Sequence, residues 1–279
     1  MSLFPDYKHE SIITDKPVIA WWSAGITSAV ACKMALKMFK KVRICYIHID
    51  SHHPDSLRFK ADCEKWYGQP IEQYQNRFFA DQYEVIEKTK YVNGPDGARC
   101  TNELKKEVRR FIEDTIQHSY QVWGFECNKK QINRAIRFIE DNPAIQSAFP
   151  LIENRVDKAE CAGLILNAGI ELPVMYQLGY NNNNCIGCTK GAQGYWNKIR
   201  VDFPDYYARM AKAERVAGHS CINGTFLDEL DPNAGRKQSI IIPECGIQCG
   251  QKFDNLDDPR VEDIMSGKLS LLTFLNKAA

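Results

Sequence analysis

The apolar run Pro17-Val18-Ile19-Ala20-Trp21-Trp22 ends at Ser23-Ala24-Gly25, and a helical period begins on the next residue. A run that short, closed by small residues, reads as a strand buried on both faces. From Ile26 to about residue 39, Val30, Met34 and Met38 recur four apart and share one helix side. A second apolar run, residues 42–49, is rich in β-branched residues and ends in Asp50-Ser51-His52-His53. Residues 55–67 read as a helix and 83–87 as a third strand. Residues 102–117 read as an amphipathic helix with Leu104, Val108, Phe111 and Ile112 inward. A fourth strand is expected over 120–125 and a further helix over 129–140. Strands alternating with helices predict a doubly wound, mostly parallel α/β sheet covered on both faces.

The character changes after Pro150. Residues 157–168 read as a helix closed by Gly169, and Asn181-Asn182-Asn183-Asn184 is a polar run. From there to Gly250 the chain is punctuated by Gly, Pro and Cys and reads as loop-rich. The expected division is an α/β domain over 1–150 and a cysteine-bearing C-terminal region over 151–279. A region without long apolar runs needs another staple, and a bound metal is the obvious candidate.

Lys and Arg number 36 against 35 Asp and Glu, so the chain has no bulk attraction for nucleic acid or anionic membrane. No apolar run approaches the length that spans a bilayer, and the first residues lack the order of a signal peptide. A cytoplasmic location and no membrane partner are expected. Eleven cysteines, an odd number in a long chain of that kind, argue against a disulfide framework. Cys32, Cys45, Cys63, Cys127 and Cys161 stand singly and read as small buried hydrophobes.

Ser23-Ala24-Gly25-Ile26-Thr27-Ser28 lies between a buried strand and a helix. Free N–H groups at a helix start, with small hydroxyl side chains around them, make an anion site. Gly25 would admit a phosphate close to the backbone, and Ser23, Thr27 and Ser28 would donate hydrogen bonds. Asp50, ending the next strand, stands where doubly wound folds place ligand contacts. Cys185-Ile186-Gly187-Cys188 and Cys245-Gly246-Ile247-Gln248-Cys249 are close pairs, and two such turns supply four thiolates to one Zn²⁺ or iron–sulfur centre. Cys100 and Cys221 are the alternates. His52 and His53, adjacent to each other, read as an exposed loop. Lys190, Lys198, Arg200, Arg209, Lys212 and Arg215, interleaved with Tyr195, Trp196, Tyr206 and Tyr207, read as a solvated helix face, ahead of a nucleic-acid cradle.

The Ser23–Ser28 turn resembles the Ser-Gly-Gly-x-Asp-Ser/Thr loop of the PP-loop superfamily, with Ala24 for the first Gly and Thr27 for the Asp. Later segments resemble its phosphoadenosine phosphosulfate (PAPS) reductase-like branch. These are Cys100-Thr101-Asn102-Glu103-Leu104-Lys105, Trp123-Gly124-Phe125 with Arg134, Gly169-Ile170-Glu171-Leu172-Pro173 with Tyr176, Gly179 and Tyr180, and Glu244-Cys245-Gly246-Ile247-Gln248. The resemblance implies an adenine-nucleotide enzyme over 1–150, acting at the α-phosphate of ATP or on a sulfonucleotide, with Mg²⁺ as companion to ATP. It implies Lys105 and Arg134 as phosphate contacts, and Ser28 and Cys245 as catalytic groups. Iron–sulfur members carry a tandem Cys-Cys before the C-x-x-C; here Cys100 stands at the first position and Thr101 at the second. A thioredoxin-like protein or a nucleic acid is the expected macromolecular partner. The competing expectation is a nucleotide- or nucleic-acid-binding module without turnover.

Overall fold

The computed structural model describes residues 14–94, 97–222, 224–235 and 258–271. Five parallel strands form the sheet in the order β3-β2-β1-β6-β7, namely Glu72–Tyr74, Val42–Ile47, Val18–Trp22, Gln121–Val122 and Ser147–Ala148. The chain winds outward from β1 through β2 to β3, then returns to the other side of β1 for β6 and β7. The order reverses between β1 and β6, and the carboxyl ends of strands at such a reversal open a ligand crevice.

Strand alternation divides the core in two. Val18, Ala20 and Trp22 of β1 pack with Ile44 and Tyr46 of β2 beneath helices α1 (Ile26–Met38) and α8 (Lys158–Asn167). Ile19 and Trp21 face the other way with Cys45 and Ile47, against α5 (Val108–Thr115) and α6 (Lys129–Asp141). All five β1 residues are buried, as expected of a central parallel strand. Leu151, Cys161, Leu164 and Ile165 share the first cluster with Val30 and Met34, so the division expected near residue 150 falls between elements of one core.

Several expectations met a different structure. Residues 83–87 belong to helix α3 (Gln82–Thr89), because Asp81 caps it by accepting the Glu84 N–H. The third strand is instead the polar Glu72–Tyr74, registered on β2. The amphipathic helix starts earlier, at α4 (Arg99–Thr101), and passes through a π-helical segment, Asn102–Glu107, before α5. Leu104, Val108 and Ile112 face inward, but Phe111 is half exposed, with Arg77 over its ring.

The segment read as loop-rich contains α10 (Gln193–Asp202) and α11 (Pro204–Ala217). Tyr195, Trp196, Ile199, Tyr207 and Met210 bury a third cluster with Leu227 and Leu230. Its described part is therefore ordered by an apolar core. No helix among the described residues is long and apolar enough to cross a membrane.

Candidate functional site

The turn after β1 is closed by its own serines. Ser28 Oγ donates to Gly25 O at 2.8 Å and accepts from Ser23 N at 3.0 Å and Ser23 Oγ at 3.1 Å. The single Ser28 hydroxyl proton is thus spent inside the turn. Helix α1 begins with no capping side chain, and Ile26 N reaches Tyr176 Oη at 3.4 Å. An uncapped helix start at the sheet's reversal point is the geometry that accepts an anion. Thr27 sits in that first turn and is buried.

The left-handed residue of the turn is Ala24, with φ 61, and not Gly25, whose φ is −94. A Cβ at Gly25 would make only ordinary contact, 3.4 Å from Tyr176 Oη. A left-handed alanine costs about 1–2 kcal/mol, so Ala24 stores strain where the PP-loop pattern has glycine. Ala24→Gly is expected to stabilise the fold by about 1 kcal/mol and raise the melting temperature by roughly 2–4 °C. Thermal denaturation followed by circular dichroism checks this. The other close approach is at Gly124, past the end of β6. A Cβ there would lie 2.6 Å from Ser28 Cα and 2.8 Å from Ser28 N, so Gly124 lets the two crossing segments touch.

Asp50 lies three residues past the end of β2, and its exposed carboxylate accepts from Gln75 Nε2 at 2.7 Å and lies 3.4 Å from His48 Nε2. The loop beyond it is not an exposed histidine pair. His52 is buried, with Nδ1 2.8 Å from Tyr46 Oη, and half-buried His53 accepts the Asp55 N–H through Nδ1 at 3.1 Å. Burial holds His48 and His53 below the ordinary imidazole range. Arg134 is buried on α6 with its guanidinium over Phe125, next to Gly124. Lys105 is buried elsewhere, in the wall of a cysteine-lined cavity.

That cavity brings together Cys100, Cys185, Cys188, Lys105, Thr101 and Thr189. Cys100 Sγ lies 3.8 Å from Thr189 Oγ1. The Cys185–Cys188 loop is clasped by buried polar groups of the surrounding fold. Ile186 N donates to Ser51 O at 2.8 Å, and Gln82 Nε2 and Tyr83 Oη donate to Ile186 O at 2.8 and 3.0 Å. Tyr195 Oη accepts the N–H groups of Gly187 and Cys188 at 3.0 and 2.9 Å. Cys245 and Cys249 lie outside the described residues. Among those described, no three His, Cys, Asp or Glu side chains are arranged to hold a metal ion. Cys185 and Cys188 are two of the four thiols of the expected metal set, and the other two lie outside the described residues.

Cys32, Cys45, Cys63 and Cys161 are buried, and burial pushes their thiols up, to about 12 for Cys45 and Cys63. Cys127 is only half-buried. Burial, with the carboxylate of the fully buried Glu214 beside it, pushes the Cys221 thiol up.

The basic run of α10 and α11 is committed to the fold. Lys198 pairs with Asp202, Arg209 with Asp81, and Arg215 with Asp228 and Glu229. Arg200 donates to Leu230 O at 2.7 Å. On the outer face of the helix that carries Cys100, Arg99, Asn102 and Lys106 line an open cleft of about 590 Å³ with Thr89 and Tyr91. On sequence grounds Asn183 and Tyr195 had no role in the site, and the buried Glu214 and the π-helical segment left no sign there. Only the unusual asparagine run offered a signal for any of them.

Residues 17–192 match the family model described as phosphoadenosine phosphosulfate reductase domain. Among solved structures, the PAPS reductase of Candida auris in a phosphate complex is 17% identical, over 59% of this chain and 78% of that one, with a TM-score of 0.44. The U34-tRNA thiolase NcsA of Methanococcus maripaludis with its [4Fe-4S] cluster is 11% identical, over 75% of this chain and 74% of that one, with a TM-score of 0.35. No curated protein matches. The domain match takes in both the turn at Ser23–Ser28 and the Cys185–Cys188 loop, and by it the chain belongs to the phosphoadenosine phosphosulfate reductase domain family.

Proposed function

We propose that the protein is a cytoplasmic adenine-nucleotide enzyme of sulfur or adenylyl-transfer chemistry. The observation that carries this reading is the strained turn at Ala24, set at the sheet's reversal point against an uncapped helix start. ATP, with Mg²⁺, or PAPS would seat its phosphates on the first-turn N–H groups of α1. Ser23, Gly25, Thr27 and Ser28 shape that seat, Asp50 borders it, and Lys105 and Arg134 add charge. Ser28 would act by holding the turn, since its proton is already given to Gly25. The thiol-lined cavity supports sulfur chemistry as the reading, with Cys245 as the nucleophile of the reductive version. The open cleft of Arg99 and Lys106 offers an anionic acceptor a place. A thioredoxin-like protein or a nucleic acid is the macromolecular partner in the respective versions.

Product analysis tests the reading. PAPS with a thioredoxin yields sulfite if the protein reduces, and Cys245→Ser stops it. ATP with its acceptor yields pyrophosphate if the protein adenylates. Nucleotide binding without either product would leave a binding module.

A Zn²⁺ or iron–sulfur centre belongs to the same proposal, on Cys185, Cys188, Cys245 and Cys249, with Cys100 and Cys221 as alternates that take the place of Cys245 where it is the nucleophile. Metal analysis of anaerobically prepared protein is expected to give stoichiometric metal in the wild type and loss of it in Cys188→Ser. Substituting the buried Cys63 leaves the metal in place. Full retention in Cys188→Ser would exclude the assignment.

A further inference from the structure

Asn183 is buried, 4% exposed, and its amide nitrogen donates to Ala24 O at 2.9 Å and to Ser56 Oγ at 3.0 Å. Ala24 is the strained residue of the turn. In a trans peptide the carbonyl and the following N–H point in opposite directions. With Ala24 O held by Asn183, the Gly25 N–H is turned away from Asn183. Relaxation of Ala24 out of the left-handed region would rotate that peptide and redirect the N–H. Asn183 therefore selects one of two orientations of a backbone donor in the turn. Strain of this kind persists only where the surroundings over-determine it. Here Asn183 supplies the bond to the strained peptide itself.

Asn183 is also two residues from Cys185. The intervening chain has little slack, because Ile186 N is fixed to Ser51 O and the Cys185–Cys188 loop is clasped by Gln82, Tyr83 and Tyr195. Ser56, the second partner of the amide, starts α2 (Asp55–Tyr67) and is itself buried. One amide thus joins the cysteine loop, the nucleotide turn and α2.

We propose that Asn183 is a positioning residue, a latch that holds the Ala24–Gly25 peptide in its binding orientation and couples it to the cysteine loop. The consequence for binding rests on the turn being the nucleotide seat. Coupling between two sites is reciprocal. Nucleotide at the turn should slow the modification of Cys185 and Cys188, and displacement of the cysteine loop should weaken nucleotide binding.

The test is a four-protein cycle on the full chain: wild type, Asn183→Ala, Ala24→Gly and the double variant. Titration calorimetry with ATP and with PAPS is expected to show about tenfold weaker binding in Asn183→Ala, the order expected for one lost buried hydrogen bond and relaxed strain. The double variant is expected to recover most of that loss, because glycine adopts the left-handed conformation without the steric cost. A purely structural asparagine would show no such recovery. Asn183→Asp, which keeps the shape and removes the donor, should bind as weakly as Asn183→Ala. Alkylation of Cys188 without nucleotide, read by mass spectrometry, should be about tenfold faster in Asn183→Ala and remain fast in the double variant, because the amide that ties the cysteine loop to the turn is missing from both. Unchanged affinity in Asn183→Ala, no recovery by Ala24→Gly, or unchanged alkylation overturns the latch. Wild type that binds neither nucleotide overturns the seat instead, and the alkylation arm still decides on the latch.

Discussion

Gly124→Val is expected to weaken nucleotide binding by at least about a hundredfold. Even the first carbon of the new side chain would lie 2.6 Å from Ser28 Cα and 2.8 Å from Ser28 N. Both atoms are backbone, so no rotamer change removes the clash. Either the end of β6 or the turn must move by the better part of an ångström, which takes several N–H donors of the seat out of hydrogen-bonding geometry at about 1.5–3 kcal/mol for each bond to a charged group. The overpacking itself costs about 1–3 kcal/mol of stability. Gly163→Ala is the control. It lies inside α8 with nothing within 4 Å of the added carbon. There the gain in helix propensity, about 1 kcal/mol, should leave binding unchanged. Calorimetry and thermal melts on the two variants separate damage to the turn from general destabilisation.

The largest stability loss is expected at Glu214. Its side chain is fully buried and accepts the N–H groups of Cys221 and, at 2.8 Å, Leu227. Glu214→Ala strands two buried donors, at a cost of about 2–4 kcal/mol, lowering the melting temperature by roughly 10 °C. The difference should depend on pH. Burial raises the Glu214 carboxyl above the ordinary glutamate range. The folded state therefore holds its proton more tightly than the unfolded chain does. Its contribution is complete below the unfolded value and falls as pH rises through the folded one. The gap between wild type and Glu214→Ala should narrow over that window in melts from pH 4 upward.

What the sequence made legible, and what it hid, follows from where each signal resides. Strand β1 and helix α1 were plain because burial on both faces leaves a continuous apolar run and then a clean helical period. Helix α2 has the bounds its pattern predicts. Strand β3 was invisible because Glu72, Gln73 and Tyr74 carry no apolar alternation. Its place comes from pairing with β2, which is information stored elsewhere in the chain. Residues 83–87 looked like a strand because Tyr83, Val85 and Ile86 favour one, but the Asp81 cap overrides that local preference. Phe111 lies in regular α5 at the margin of the face that Val108 and Ile112 bury, and there Arg77 stands over its ring.

The candidate site was legible to a similar degree. Residue types at the turn were readable, but which of them carries the left-handed backbone was not. Only backbone geometry shows that Ala24 carries the positive φ. Pairing of Cys185 with Cys188 was readable from spacing. Their convergence with Cys100 and Lys105 is a tertiary fact. The basic run of α10 and α11 read as a solvated helix face, and the carboxylates that pair with Arg209 and Arg215 were not visible because they lie outside those helices. Asp81 lies 128 positions from Arg209.

The central claim is that the turn at Ser23–Ser28 is an adenine-nucleotide seat. Titration calorimetry of the wild-type full chain with ATP and with PAPS, using GTP as the reference, tests it most directly. The account predicts saturable binding of at least one adenine nucleotide at one per chain, weaker or absent binding of GTP, and loss of the signal in Gly124→Val but not in Gly163→Ala. Absence of binding by ATP and PAPS alike, or binding undiminished in Gly124→Val, would contradict it.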